Sequence, residues 1–155
     1  MNSMNRLMSS ALGVVLLVGP ATAASADDAL FGVRAGYYTE AEGPFLGAEF
    51  LFRVAHSVYF NPNVEYAFGS EADEFTANAD FHYDFPSHGH AFVWAGAGLA
   101  VVHVDPEGRA DGDTDAAANF LLGVGLSRHG TIPYFQAKLI AKDDTEFALA
   151  FGVRF

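Results

Sequence analysis

From about residue 30 to the carboxyl terminus, bulky apolar side chains alternate with polar or small ones, and no other property of the chain limits its fold so tightly. Phe75, Ala77, Ala79, Phe81, Tyr83 and Phe85 alternate with Thr76, Asn78, Asp80, His82 and Asp84. At the end of the chain Phe147, Leu149, Phe151, Val153 and Phe155 alternate with Glu146, Ala148, Ala150, Gly152 and Arg154. A period of two is the side-chain repeat of an extended strand, whereas a helix needs apolar positions at i, i+3 and i+4. Strands are expected at about 30–39, 45–54, 58–68, 74–85, 91–104, 116–127, 132–141 and 146–155, separated by Gly, Pro, Asp and Ser clusters. Each is close to the roughly 9–11 residues of a tilted strand that crosses a bilayer, and their even number brings both chain ends to one side.

Which face points inward follows from charge. The polar faces collect Arg34, Arg53, Lys138 and Arg154 against Glu49, Glu65, Asp80 and Asp84, four of each sign. A water-facing surface on so acidic a chain has no reason to be neutral. Charges confined in a narrow tube must pair, because an unpaired buried charge costs on the order of several kcal/mol. The expected architecture is therefore all-β: an eight-stranded antiparallel up-and-down transmembrane β-barrel, with the polar network inside and the apolar band against lipid. Glycines 32, 36, 47, 96, 98, 123, 125 and 152 also fall on the inner face and make room there.

The amino-terminal residues are of another kind. Arg6, the apolar run Ala11–Val18, the break at Gly19-Pro20 and the small residues Ala21-Thr-Ala23 and Ala24-Ser-Ala26 form a signal peptide pattern. Residues 1–26 are expected to be removed, with cleavage after Ala26 or Ala23, leaving one domain at 27–155 and a mature charge of 7 − 19 = −12. That charge argues against nucleic acid as a partner. Cysteine is absent, so neither disulfides nor thiolate metal sites arise.

The linking segments suggest an orientation. Ala55-His-Ser57, Pro86–His90 and Arg128–Thr131 read as short turns holding His56, His88, His90 and His129, and most of the acid lies in the other links. Short turns facing the periplasm would place both termini there. Aromatic girdles are expected at one rim from Tyr37, Tyr38, Phe45, Tyr66, Phe68 and Phe75, and at the other from Phe52, Phe60, Tyr83, Phe85, Phe92, Tyr134 and Phe155. The fifth strand fits least well: with Gly96 and Gly98 inward, Phe92 and Trp94 also turn inward and His103 outward, unless a bulge changes the phase. Pro62 and Pro133 are expected near strand ends or bulges.

With these features together, the chain resembles the small eight-stranded outer-membrane barrels of the OmpA-type and OmpX/Ail-type group over residues 27–155. The resemblance implies residence in a bacterial outer membrane after Sec export, contact with outer-membrane lipid and lipopolysaccharide, and a monomeric state. It also implies that Leu149, Phe151, Val153 and Phe155 form the signal read by the barrel-assembly machinery. OmpA itself continues into a peptidoglycan-binding domain, and no such domain is expected here.

Chemistry is sparser. The run Asp111-Gly-Asp-Thr-Asp115 spaces oxygen ligands as hard cations favour, but lacks the downstream Glu of a calcium loop. The turn histidines suit metal or proton binding in principle, without a fixed ligand geometry. His103 has Asp105 nearby but no obvious serine partner. No metal, cofactor or catalytic group is therefore assigned. The expected role is envelope-structural or surface-interacting; the alternatives are a small-solute porin-like channel, a lipid A-modifying enzyme, and a secreted lipocalin-like barrel with reversed faces.

Overall fold

The computed structural model describes residues 29–106 and 112–155; the signal segment lies outside them. The alternating stretches form β1 (Ala29–Tyr38), β2 (Gly43–Ala55), β3 (Val58–Ala67), β4 (Ala72–Asp84), β5 (Phe92–Pro106), β6 (Asp113–Gly125), β7 (Ile132–Ala141) and β8 (Glu146–Arg154). Each strand pairs antiparallel with its neighbours in sequence, and β8 returns to β1 through the pairs Gly32↔Arg154 to Tyr38↔Ala148. Phe31 and Phe155 exchange backbone hydrogen bonds of 3.2 and 2.8 Å beyond the last ladder pair. Closure removes the sheet edges that would otherwise attract another strand.

The apolar set faces out. Leu99, Leu149, Leu46 and Phe120 are more than half exposed, while Arg34, Glu49, Glu65 and Asp80 are buried inside. Among the described residues no Asp, Glu, Lys or Arg points outward between the two rims. Such a surface, on a sheet closed without an edge, is what hydrocarbon demands. The reversed, lipocalin-like facing is overturned by the same observation.

Several details depart from expectation. The links at the end holding the termini are residues 56–57, 85–91 and 126–131; those at the other end are 39–42, 68–71, 107–112 and 142–145. Length does not separate the two ends, because β5 and β6 extend into the acidic stretch from both sides and pair Val104 with Asp113. Of the proposed cation run, Asp111 lies outside the described residues and Asp113 and Asp115 belong to β6. Charge does separate the ends. Among the described residues the loop end carries eleven carboxylates against Lys142, while the end with the termini carries Arg53, Arg128 and the four turn histidines against Asp84.

No bulge relieves β5: its registers with β4 and β6 run unbroken from Phe92 to Val104, so Trp94 is indeed inside and His103 outside. Glycine opposite each large ring makes this possible. A Cβ added to Gly123 would stand 2.2 Å from the Trp94 ring, to Gly125 2.3 Å from Phe92, and to Gly152 2.3 Å from Tyr134. Tyr38, Phe45, Phe92 and Tyr134, expected in the girdles, are buried in the lumen for the same reason of phase. Tyr37, Tyr66, Phe68 and Phe75 remain outside at the loop end, and Phe52, Phe60, Tyr83, Phe85 and Phe155 at the other.

Pro62 lies in the middle of β3, not at an end. It has no N–H to give, and the β2–β3 ladder is interrupted between Glu49↔Asn63 and Phe52↔Phe60. The Asn61 side-chain amide donates to the Phe50 carbonyl at 2.7 Å, supplying a donor beside the residue that cannot. Pro133, by contrast, is the second residue of β7, as expected.

Gly123→Val should overfill the lumen against Trp94, costing about 1–3 kcal/mol or more and reducing the fraction of chain that shows heat-modifiable gel mobility. Gly89→Val, at a turn where an added Cβ meets nothing within 4 Å, should fold like the parent in the same assay.

Candidate functional site

The interior is built in tiers. Nearest the termini, Phe92, Trp94, Ile132 and Tyr134 pack into one apolar plug with Leu30 against it. Toward the loops, Tyr38, Phe45, Ala67, Ala100, Val102, Ala117 and Ile140 belong to a second. Between them lies the charged network, held on inward positions of β1 to β4 and β6 to β8.

Arg34 on β1 is central. Its guanidinium meets Glu65 at 2.7 Å and Glu49 at 3.6 Å, and it donates to Asn63 Oδ1. Glu49 also accepts from Arg154 Nε at 2.8 Å and from the Tyr134 hydroxyl at 2.7 Å. Glu65 accepts from Lys138 Nζ and from the Tyr38 hydroxyl. Asp80 touches no cation; Asn63 donates to it at 2.9 Å and Asn119 at 2.8 Å. Arg154 lies over the rings of Tyr134, at 4.3 Å, and Trp94, at 4.9 Å, so the network merges with the plug beneath it. Three buried cations thus face three buried carboxylates.

Six of the eight residues chosen from sequence converge here. Arg53 and Asp84 do not: both lie toward the end of the termini, Asp84 level with its register partner Trp94 in the plug. Arg53 is exposed beside the register shift between Arg53 and Ala55, and Asp84 sits 3.4 Å from His82. Two strands simply outrun the network. Sequence reading missed the hydroxyls of Tyr38 and Tyr134, which cap Glu65 and Glu49; their inward phase was the available signal.

A second cluster was also missed. Above the loop-end plug, Lys142 reaches Glu74 at 3.5 Å, Glu146 at 3.6 Å and Glu40 at 3.7 Å, and Glu146 accepts from the Ala41 N–H at 3.1 Å. Glu146, on the polar face of the closing strand, belongs here. A cavity of about 310 Å³ adjoins the cluster, lined by Glu40, Glu42, Glu71, Glu74 and Lys142 among others. Burial works against the Lys142 ammonium, but Glu74, Glu146 and Glu40 outweigh it and hold its pKa above the ordinary lysine value.

The remaining candidates are dispersed. His56, His88, His90 and His129 are exposed in three turns, His88 and His90 sharing one. His103 Nδ1 and the Thr114 hydroxyl are hydrogen-bonded at 2.7 Å on the outer face. Leu149, Phe151, Val153 and Phe155 form the outward row of the closing strand.

Glu65→Ala leaves Arg34 and Lys138 without a shared acid and should cost about 3–5 kcal/mol in urea unfolding from micelles; Asp80→Asn, which keeps amide partners and removes no ion pair, should cost less than half as much. For Lys142→Met we expect a loss of about 1 kcal/mol, limited by solvent screening. Because the ammonium's pKa is raised by folding, its contribution is fully present below the ordinary lysine value and fades only as pH climbs through the higher folded one. Parent and variant should therefore differ equally from pH 8 to 9 and converge only above about pH 10.4.

No family model matches the sequence, and no curated protein matches it. Solved structures do. The amino-terminal β-barrel domain of Pseudomonas aeruginosa OprF aligns with a TM-score of 0.68 at 14% identity, over 83% of this chain and 96% of that one. Neisserial surface protein A, NspA, gives 0.66 at 16% identity, over 82% and 96%. The outer membrane enzyme PagL gives 0.54 at 14% identity, over 81% and 98%. The chain has the fold of the small eight-stranded outer-membrane β-barrels.

Proposed function

We propose that this chain is a monomeric protein of the bacterial outer membrane with an envelope-structural or surface-interaction role, and that it neither conducts nor catalyses. The observation that carries this reading is the filled lumen. Two apolar plugs close a tier whose charges are already satisfied by one another. An eight-stranded barrel is only just wide enough for side chains, and here it holds rings of Trp94, Tyr134, Tyr38 and Phe45 in cross-section. A porin-like path would need both plugs to leave.

The uncharged outward belt supports immersion in outer-membrane lipid. The asymmetry of the rims supports termini in the periplasm, with the acidic end toward lipopolysaccharide and the exterior. An anionic surface of that kind favours cationic partners or shared divalent cations and disfavours polyanions. The outward row Leu149, Phe151, Val153 and Phe155 supports recognition by the assembly machinery. The fold is shared with an enzyme, yet among the described residues the hydroxyl–imidazole pair Thr114–His103 has no carboxylate hydrogen-bonded to its ring, so the nucleophile, base and orienting acid of a hydrolase are not assembled.

Purified protein reconstituted into planar bilayers should show no steady single-channel conductance. A stable open level, retained after repurification, would replace this reading with the porin-like one.

A further inference from the structure

The outward belt is not uniformly bulky. On β7, Ala137 stands between its register partners Leu122 of β6 and Leu149 of β8, which are 57% and 64% exposed. On β1, Ala35 lies beside Phe151, whose ring packs against Phe135 with centroids 5.1 Å apart. Small residues between tall ones make a groove of about 700 Å³ on the outer face. Gly36, Gly123 and Ala150, which send no bulk outward, complete its base.

The groove crosses the sheet obliquely from β1 through β8, β7 and β6 to β5. It begins at Tyr37, next to the last residue of β1 at the loop end, and reaches Val93, the second residue of β5 at the end of the termini. Strands about 4.8 Å apart and tilted by about 40° make that crossing about 19 Å long, with a descent of about 12 Å. The hydrocarbon of one leaflet is about 15 Å deep. The groove therefore matches a single chain from the leaflet at the loop end.

No charged side chain lines it. Tyr37 puts a hydroxyl at the mouth, at the level where aromatic anchors meet lipid headgroups. Beyond the mouth, the links at 39–42 and 142–145 carry Glu40, Glu42, Asp143 and Asp144 against Lys142. Such a rim suits a headgroup that bears an ammonium and repels one that is only anionic. Occupation does not rest on the hydrophobic effect, because lipid tails are as apolar as the groove. It rests on contact: a chain in the groove meets walls as well as a floor, and dispersion, small for each atom pair, adds along its length.

We propose that this groove seats one acyl chain of a phospholipid whose headgroup carries an ammonium group, with Tyr37 at the headgroup level. The assignment rests on the reading of the outward belt as lipid-facing, and it names a lipid that the belt holds in one place.

The test reconstitutes the mature chain into vesicles of phosphatidylethanolamine and phosphatidylglycerol in equal parts with matched chains, for the parent, Ala137→Phe and Ala79→Phe. Ala79 is an exposed alanine of β4 outside the groove. Heat-modifiable gel mobility first shows whether each chain has folded into the bilayer, so a failure of the membrane reading is seen apart from a failure of the groove. Should Ala137→Phe not fold, Ala35→Phe, which fills the groove from β1, takes its place. Native mass spectrometry of the released protein should then find one phosphatidylethanolamine on the parent and on Ala79→Phe. Ala137→Phe should retain about tenfold less, its ring displacing on the order of ten close carbon contacts. Trp94, the one tryptophan of the chain, lies behind Gly123 and reports the same place within the membrane. Phosphatidylethanolamine brominated on its chains should quench Trp94 more in the parent than in Ala137→Phe. Equal retention or equal quenching in those two, no retained lipid on the parent, or no preference for phosphatidylethanolamine overturns the proposal. So does a mass of two chains, which would give the groove to a second copy.

Discussion

A closed sheet of eight strands encloses a space that side chains fill completely, and that limit governs the rest of this molecule. Nothing polar can stand inside with a large hydration shell, so each inward charge must find its counterpart on another strand. Arg34 from β1, Glu49 from β2, Glu65 from β3, Lys138 from β7 and Arg154 from β8 do so, tying strands far apart in sequence across the tube. A buried ion pair is weak as a source of stability but strong as a condition on register, because moving one strand by a residue would expose its charge to lipid and strand its partner. The apolar plugs above and below then raise the cost of any unpaired charge by keeping bulk water out.

Space is the second half of the same limit. The interior admits Trp94, Tyr134, Phe92 and Phe45 only because Gly123, Gly152, Gly125 and Gly36 present no side chain where those rings lie. Large and small residues are distributed between facing strands, so that no single strand shows the logic by itself. The Pro62 position follows a related principle at the level of the backbone: a donor lost from the ladder is offset by the amide of Asn61 next to it.

Strand positions, closure and the choice of inward face were legible in the sequence because a period of two, sustained from about residue 30 to the carboxyl terminus, leaves few foldings open, and because the polar faces were nearly neutral on an acidic chain. The charged tier was legible for the six residues that lie at one depth. It was not legible that Arg53 and Asp84 lie at another, since depth depends on the stagger between strands and not on phase within one. Tyr38, Phe45, Phe92 and Tyr134 were misplaced in the girdles because an aromatic near a strand end serves equally well as anchor or as plug, and only the glycine paired with it on the neighbouring strand distinguishes them. Lys142 escaped notice because it lies in a link; its three acids come from β4, β8 and the link between β1 and β2.

The concentration of carboxylates at one end has a consequence for how such a molecule enters a bilayer. Whichever end leads must cross hydrocarbon once. On the proposed orientation, the end with the termini and the turn histidines stays on the side from which the barrel inserts while the acidic links are carried through. Reversing that passage would require returning the carboxylates through the same barrier with the sheet already closed. On that reading the asymmetry works as a ratchet, and the direction in which the barrel sits is kept by the height of a barrier, with no need for a difference in energy between its two orientations.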